Sequence, residues 1–583
     1  MKKRLLTVLS LVLALTLVLS ACGGNDSASS TGNGNTNTNN SSEGNSNEGG
    51  GDEIITNGVI PASDPSKNPA AATNRTDTVI IGMTAPNGIF NPLFAETTYD
   101  VYVASALFDS LVKIEKDGSY SPQMADYEVS EDGLVYTFTL KDGIKWTDGT
   151  PVTAKDIAFS RTLLFDSSYD GPTDVMQSAP IKGGQDYKDG KATSVSGIKV
   201  VNDKTIEFTM DSVNPLALAT LGSGVIPEHY YGKDYKQGNL GFMKDLFTKP
   251  LGNGAYILKK FAPGQEVVME ANPDYYAGAP KVKNLIYKVT TDETLVSNLQ
   301  TGETDMDFPT ASKDQIEDIK AMGFLDTQIF PTNGYGYIAM NHNDPKFKDQ
   351  KVRQALTYGL DRQQIVDAVY QGYAKVINVP QSDLSWSYTD EGIEKYDFDL
   401  EKAKQLLDEA GWVPGADGIR EKDGVKFKIN FAATSPNPVN DAIIPIATAN
   451  YKELGIDFVA EQMDFNAVID KRKKGDFDML FMAWGLTPDP QSMQNVYMTS
   501  GSQNDIGYSN AKIDELFKKT GSTVNQEERK ELFKQVYQEM NADLPYIYLY
   551  QRSDMWSINN RVKGFDLSPY KDFTSDLNII SVQ

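Results

Sequence analysis

The sequence predicts a large α/β protein, and three observations carry that prediction. Val135-Tyr136-Thr137-Phe138-Thr139-Leu140 and Lys204-Thr205-Ile206-Glu207-Phe208-Thr209-Met210 alternate polar and apolar residues, the period-two mark of half-buried strands. Later segments place apolar residues three and four apart, as amphipathic helices do. No repeat of roughly 20–50 residues recurs, so the body is not a solenoid.

Taken in order, the chain opens with Met1-Lys2-Lys3-Arg4 and an aliphatic run over residues 5–19. A bilayer-spanning helix needs about 20 apolar residues, so this shorter run reads as a secretory signal over residues 1–21. It ends in Leu19-Ser20-Ala21-Cys22, which resembles the bacterial lipobox and makes Cys22, the only cysteine, the expected lipidation site. Two or more acyl chains, at ~0.8 kcal/mol per buried CH₂, anchor stably. Residues 23–52 are Gly, Asn, Ser and Thr with a few acids, too apolar-poor to offset their ordering entropy. Residues 22–75 are therefore expected to form a flexible tether, with regular folding beginning near Thr78. Val79-Ile80-Ile81 then reads as a strand and residues 101–107 as a helix. Asp132-Gly133, Asp142-Gly143 and Asp148-Gly149 punctuate the β region as turns. Helical faces follow at Val352, Leu356, Leu360, Ile365, Val366 and Val369, with Gly372 expected to stop the run. Leu400, Ala403, Leu406 and Leu407 form a second face, and Leu532, Phe533, Val536, Tyr537 and Met540 a third after acidic Glu527-Glu528.

Composition excludes several functions. The 583 residues carry 55 Lys+Arg and 79 Asp+Glu, a net charge of −24, which is the wrong balance for binding nucleic acid by counterion release. With two His and one Cys, a structural zinc site lacks its usual four or so ligands, and no disulfide can close within the chain. The sequence contains no phosphate-binding G-x-x-x-x-G-K-[ST] motif and no H-E-x-x-H. Gly222-Ser223-Gly224 falls short of a nucleophile elbow. His342, between Asn341 and Asn343, reads as a solvated turn residue and not as a base. Acid pairs arise by chance among 79 carboxylates, so a glycosidase has no positive support. The 29 Tyr and 25 Phe suit both a core and a cleft that grips amphipathic ligands.

Several segments combine into a pattern. Residues 121–133 (SPQMADYEVSEDG) lead through the alternating strand into residues 140–156 (LKDGIKWTDGTPVTAKD). Gly252-Asn253-Gly254-Ala255-Tyr256, Asn272-Pro273-Asp274-Tyr275-Tyr276, Gly302-Glu303-Thr304-Asp305 and residues 349–356 (DQKVRQAL) follow in order. On these residues the chain resembles the peptide/nickel class of ABC-transporter solute-binding proteins over roughly residues 78–580. The resemblance implies a two-lobed, periplasmic-binding-protein-like fold without a cofactor or enzymatic activity. Lobe I would take residues 76–330, with an inserted subdomain at 116–250 and a return at 552–583; lobe II would take 335–548. Hinge crossings would lie near Pro331-Thr332-Asn333-Gly334 and Tyr550-Gln551-Arg552. The partners implied are an oligopeptide or similar small solute and the permease subunits of an ABC transporter. The chain would be a lipid-anchored monomer on the extracytoplasmic face of the cell membrane.

The same resemblance implies a site. The loop Phe94-Ala95-Glu96-Thr97-Thr98-Tyr99 offers Glu96, Thr97 and Tyr99, with Glu96 the candidate acid. Residues 477–490 offer Ala483, Trp484 and Gly485 as an edge that pairs with an extended ligand. Peptide binders commonly carry an amine-holding Asp where this chain has Thr487; the nearest acid is Asp489. A carboxylate-holding Arg of some members is Phe481 here. Phe465 and Tyr548 fall at other cleft-lining places. Asp489-Pro490 also reads as a turn, Trp484 as core and Glu96 as a surface acid. An oligosaccharide, nickel-chelate or opine-like ligand fits the same role, and a secreted hydrolase or an adhesin remains an alternative.

Overall fold

The computed structural model describes residues 54–523 and 525–583. The leader, Cys22 and most of the expected tether therefore lie outside the described residues. Among those described, no helix is long and apolar enough to cross a membrane.

The alternating segments form strands as expected. Val135–Leu140 buries Tyr136, Phe138 and Leu140 and pairs antiparallel with Thr205–Thr209, which buries Ile206 and Phe208. With Ala125–Val129 and Ile198–Val200 they make a separate four-stranded sheet within the inserted region. The large sheet has thirteen strands. Its main path runs Asp457–Met463, Lys428–Thr434, Met479–Gly485, Gly334–Met340, Tyr546–Asn559, Met306–Asp307, Thr78–Met83, Asn284–Val289, Glu266–Ala271, Tyr256–Ala262. Every residue of Gly334–Met340 is buried, as expected of a strand covered on both faces.

Tyr546–Asn559 joins the two halves of this sheet. Its first part pairs with Gly334–Met340 and its last part with Leu325–Pro331, in continuous antiparallel register from Leu325↔Asn559 to Pro331↔Ser553. Between the two partners, Thr332 N–H donates to Arg552 C=O at 2.9 Å. The two segments read as hinge crossings thus lie side by side. Gly336 makes the approach feasible: a Cβ there would come within 2.4 Å of the Tyr550 ring. One hydrophobic core occupies the side built from the early strands and the inserted sheet. Two others occupy the side of Gly334–Met340, one of them tyrosine-rich around Tyr335, Tyr337, Tyr497, Tyr546 and Tyr548.

Local signals set the helix ends. Asn437 caps Pro438–Glu453 by accepting from the Val439 and Asn440 N–H groups, and Pro438 stands at the first turn, where its missing N–H costs nothing. The helix Arg362–Tyr370 ends one residue earlier than expected, with Gln371 taking the left-handed conformation at φ 49° ahead of Gly372.

Two expectations are corrected. Regular folding starts before Thr78: Gly58–Ile60 is a strand paired antiparallel with Thr327, Gln328 and Ile329. Ala62 N–H then bonds Asp326, and Asn68 and Asn559 exchange amide hydrogen bonds at 2.7 and 2.9 Å. Arg75 and Arg561 both engage buried Asp305. Residues 54–75 therefore belong to the body and not to the tether. His342, in turn, is 8 % exposed, and its Nε2 donates to Pro545 C=O at 2.9 Å. Burial, with the nearby Arg353 guanidinium, pushes the imidazole down to about 4.

Arg353 is itself buried, donating to the carbonyls of Phe347, Lys348, Asp543 and Leu544 and pairing with Asp543. The native state thus resists protonating His342 until about pH 4, whereas the unfolded chain protonates near 6.5. Stability from this group is complete above pH 6.5 and is lost as pH falls toward 4. Urea denaturation at pH 7 and pH 4.5 should show His342→Gln with a flatter stability difference than the wild type, by roughly 2–3 kcal/mol. Identical pH dependence in the two proteins would remove His342 as the cause.

Candidate functional site

The strand Met479–Gly485 stands next to Gly334–Met340 in the large sheet, two places from Tyr546–Asn559. It pairs along its whole length with Gly334–Met340, but with Lys428–Thr434 only at Met479 and Leu480. From Phe481 onward one edge therefore has no strand partner. Ala483 and Gly485 are exposed there, and a Cβ built on Gly485 meets nothing within 4 Å. Alternation along the strand splits its side chains. Leu480, Met482 and Trp484 turn to the tyrosine-rich core, while Phe481 is buried with its ring 6.2 Å from that of Tyr550.

Opposite this strand stands the loop before the helix Thr98–Leu107. Thr97 caps the helix, accepting from Asp100 N–H at 3.2 Å and donating to its carboxylate at 2.6 Å, which fixes the loop. Glu96 pairs at 2.5 Å with Lys473, near the end of the helix Phe465–Lys474 on the other half. Tyr99 meets Phe465, at the start of that helix, edge to face at 6.0 Å. Burial raises the Tyr99 hydroxyl pKa. Gln494 donates to Gln177 C=O at 2.9 Å and Ser502 to Pro172 C=O at 3.2 Å, so the inserted region also reaches across. The two halves are closed on each other.

Trp484 is half-buried, stacked on Tyr337 with an interplanar angle of 7° and with the Arg472 guanidinium 5.3 Å from its ring. Its indole N–H has no acceptor. Tyr548 is fully buried among Tyr335 and Tyr546 and lines no open space. Thr487 donates to Asp489 C=O at 2.9 Å. Asp489 is already engaged: Arg529 grips both carboxylate oxygens at 2.6 and 2.9 Å, and the carboxylate also caps the turn Pro490–Met493. Of the residues expected to meet the ligand, Glu96, Tyr99, Phe465, Ala483, Trp484 and Gly485 converge on one region. Thr97, Phe481, Thr487, Asp489 and Tyr548 also have partners within the protein.

Sequence reasoning missed Lys473, Arg472 and Arg529. The run Lys471-Arg472-Lys473-Lys474 in an acidic chain was a usable signal for the first two. Arg529 lies within a helix, and only the fold brings it to Asp489.

A family model described as bacterial extracellular solute-binding proteins, family 5 Middle, matches residues 119–505. The oligopeptide-binding protein AppA of Bacillus subtilis (strain 168) is 27 % identical over 589 residues, covering 98 % of this chain and 97 % of the relative. Heme-binding protein A of Haemophilus influenzae is 27 % identical over 539 residues, covering 88 % and 95 %. The solved structure of Bacillus subtilis AppA in complex with a nonapeptide aligns with a TM-score of 0.80 at 25 % identity, over 87 % of this chain and 99 % of that one.

The Arg529–Asp489 pair carries a stability expectation. The Arg529 side chain is 7 % exposed, so removing its carboxylate partner leaves a buried charge uncompensated. Asp489→Ala should lower unfolding stability by about 3 kcal/mol in denaturant titration. A variant that keeps its stability but loses ligand would make Asp489 a ligand contact.

Proposed function

Because the chain belongs to the family 5 bacterial extracellular solute-binding proteins, a family of binding proteins and not of enzymes, we propose that it captures oligopeptides between two lobes and delivers them to an ABC importer. The lobes are residues 54–330 with the return at 552–583, and residues 335–548. Cys22 carries the lipid that holds the protein at the extracytoplasmic face of the membrane.

The observation that carries the peptide reading is the unpartnered edge of Met479–Gly485 beyond Leu480. Backbone N–H and C=O groups along a free edge bond to the main chain of any extended peptide, whatever its side chains. Exposed Ala483 and Gly485 leave room for a second backbone to approach. Tyr99, Phe465 and Trp484 supply aromatic surface for the ligand's side chains. The relatives lend support, since the Bacillus subtilis protein is an oligopeptide-binding protein whose structure holds a nonapeptide.

Binding works by population shift. The ligand touches both lobes only when they are closed, so it favours that state by its differential affinity. A micromolar ligand contributes about −8 kcal/mol in all, enough to leave several kcal/mol for closure.

The test is the identity of the molecules the protein carries. The chain is purified natively, denatured, and the released small molecules are measured by mass spectrometry. A ladder of masses matching short peptides is the expected result. Masses spaced by hexose or pentose units would replace the peptide with an oligosaccharide stacked on Trp484 and Phe465.

A further inference from the structure

The strand Tyr546–Asn559 is buried at every position except Arg552 and Asp554, which alternation puts on one face. Arg552 keeps 42 % of its side chain accessible and Asp554 24 %. The Arg552 charge acts on Tyr99 and Asp292 of the first lobe and on Tyr370 of the second, and Tyr550 lies beside it. Arg552 thus presents a solvent-reached guanidinium beside residues of both lobes.

The hydrogen bonds of Arg552 set it apart. Nine arginines lie among the described residues, and eight direct at least one Nη group to a protein acceptor. Arg552 makes one ion-pair bond, from Nε to Asp554 Oδ1 at 3.1 Å, and has the Tyr370 hydroxyl beside it, but no carbonyl or carboxylate accepts from its Nη groups. Beside it the Tyr370 hydroxyl is fully buried between the guanidinium and Tyr550, and its ring packs 4.8 Å from Tyr550. Both Nη groups and the Tyr370 hydroxyl therefore converge where no carbonyl or carboxylate accepts from them, and a forked guanidinium matches a carboxylate's two oxygens.

We propose that Arg552, assisted by the Tyr370 hydroxyl, holds a carboxylate of the bound peptide; this rests on the peptide reading above. It takes over the role of the arginine whose expected place is occupied here by buried Phe481. The surrounding acids define which anion fits. Asp554 already offsets part of the Arg552 charge, and Asp292 and Asp441 add negative charge from opposite lobes without an ion pair of their own among the described residues. A phosphate or a dicarboxylate meets repulsion there, whereas a single carboxylate on a chain that also carries positive charge does not.

The experiment offers the full-length protein pools of random-sequence short peptides and quantifies what it retains. One pair of pools ends in a free carboxylate or a carboxamide; a second pair is the same but lacks Asp and Glu. Wild type should prefer the free-carboxylate pool on the order of tenfold. Arg552→Gln should retain both pools equally, and Tyr370→Phe, which removes one hydroxyl and leaves the ring packing, should weaken the preference. A preference that persists without Asp and Glu assigns the C-terminal carboxylate. Retention that instead falls in both members of the acid-free pair assigns an acidic side chain. Equal retention of every pool by wild type, or an Arg552→Gln protein with unchanged preference, overturns the proposal and leaves the peptide reading standing. Retention of no pool by wild type overturns both.

Discussion

Backbone hydrogen bonding along Tyr546–Asn559 constrains the rest of the molecule. Its N–H and C=O groups must be satisfied once buried, and two different partners satisfy them, Gly334–Met340 at one end and Leu325–Pro331 at the other. The halves of the large sheet therefore cannot part along this strand without losing ladder bonds. Beside it, residues 332–333 form the short irregular link between the two partner strands. Everything that closes the cleft is hung from this line: the loop of Glu96 and Tyr99 on one half, and the helix of Phe465 and Lys473 on the other. The Glu96–Lys473 pair and the Tyr99–Phe465 contact join the two halves on either side of this strand.

Charge follows a consistent rule in this acidic protein. Guanidinium groups that the fold buries are saturated by carbonyls and carboxylates, as Arg353, Arg362 and Arg561 show. Such groups cost several kcal/mol to desolvate and are tolerated because their donors are filled. Asp489 obeys the same rule by meeting Arg529. Arg552, which solvent still reaches, departs from the rule, and on the proposal above a bound carboxylate completes its set of acceptors.

What the sequence revealed depended on whether a signal was local. The strands at residues 135–140 and 205–209 and the helix faces at 352–369 and 526–543 were legible because periodicity and caps are written within a few residues. Gly58–Ile60 was not, because a three-residue strand shows no period and its partner lies far along the chain. His342 was misread for a related reason: Asn341 and Asn343 signal a turn, while Pro545 and Arg353, remote in sequence, bury the ring. Glu96, Trp484 and Gly485 were reached through resemblance to a family, yet the pairing of Glu96 with Lys473 was not. Arg552 and Asp554 did leave a trace, as two charges on one face of an otherwise apolar segment, legible once the segment was known to be a single strand.

The central claim is that two lobes pivoting about a shared strand close on a peptide. Small-angle X-ray scattering tests it most directly, comparing the protein stripped of ligand with the same protein saturated with its recovered peptides. The account predicts a smaller radius of gyration and a shortened maximum dimension on binding. Superimposable scattering curves at full occupancy would contradict it and would mean that the ligand enters an already fixed site.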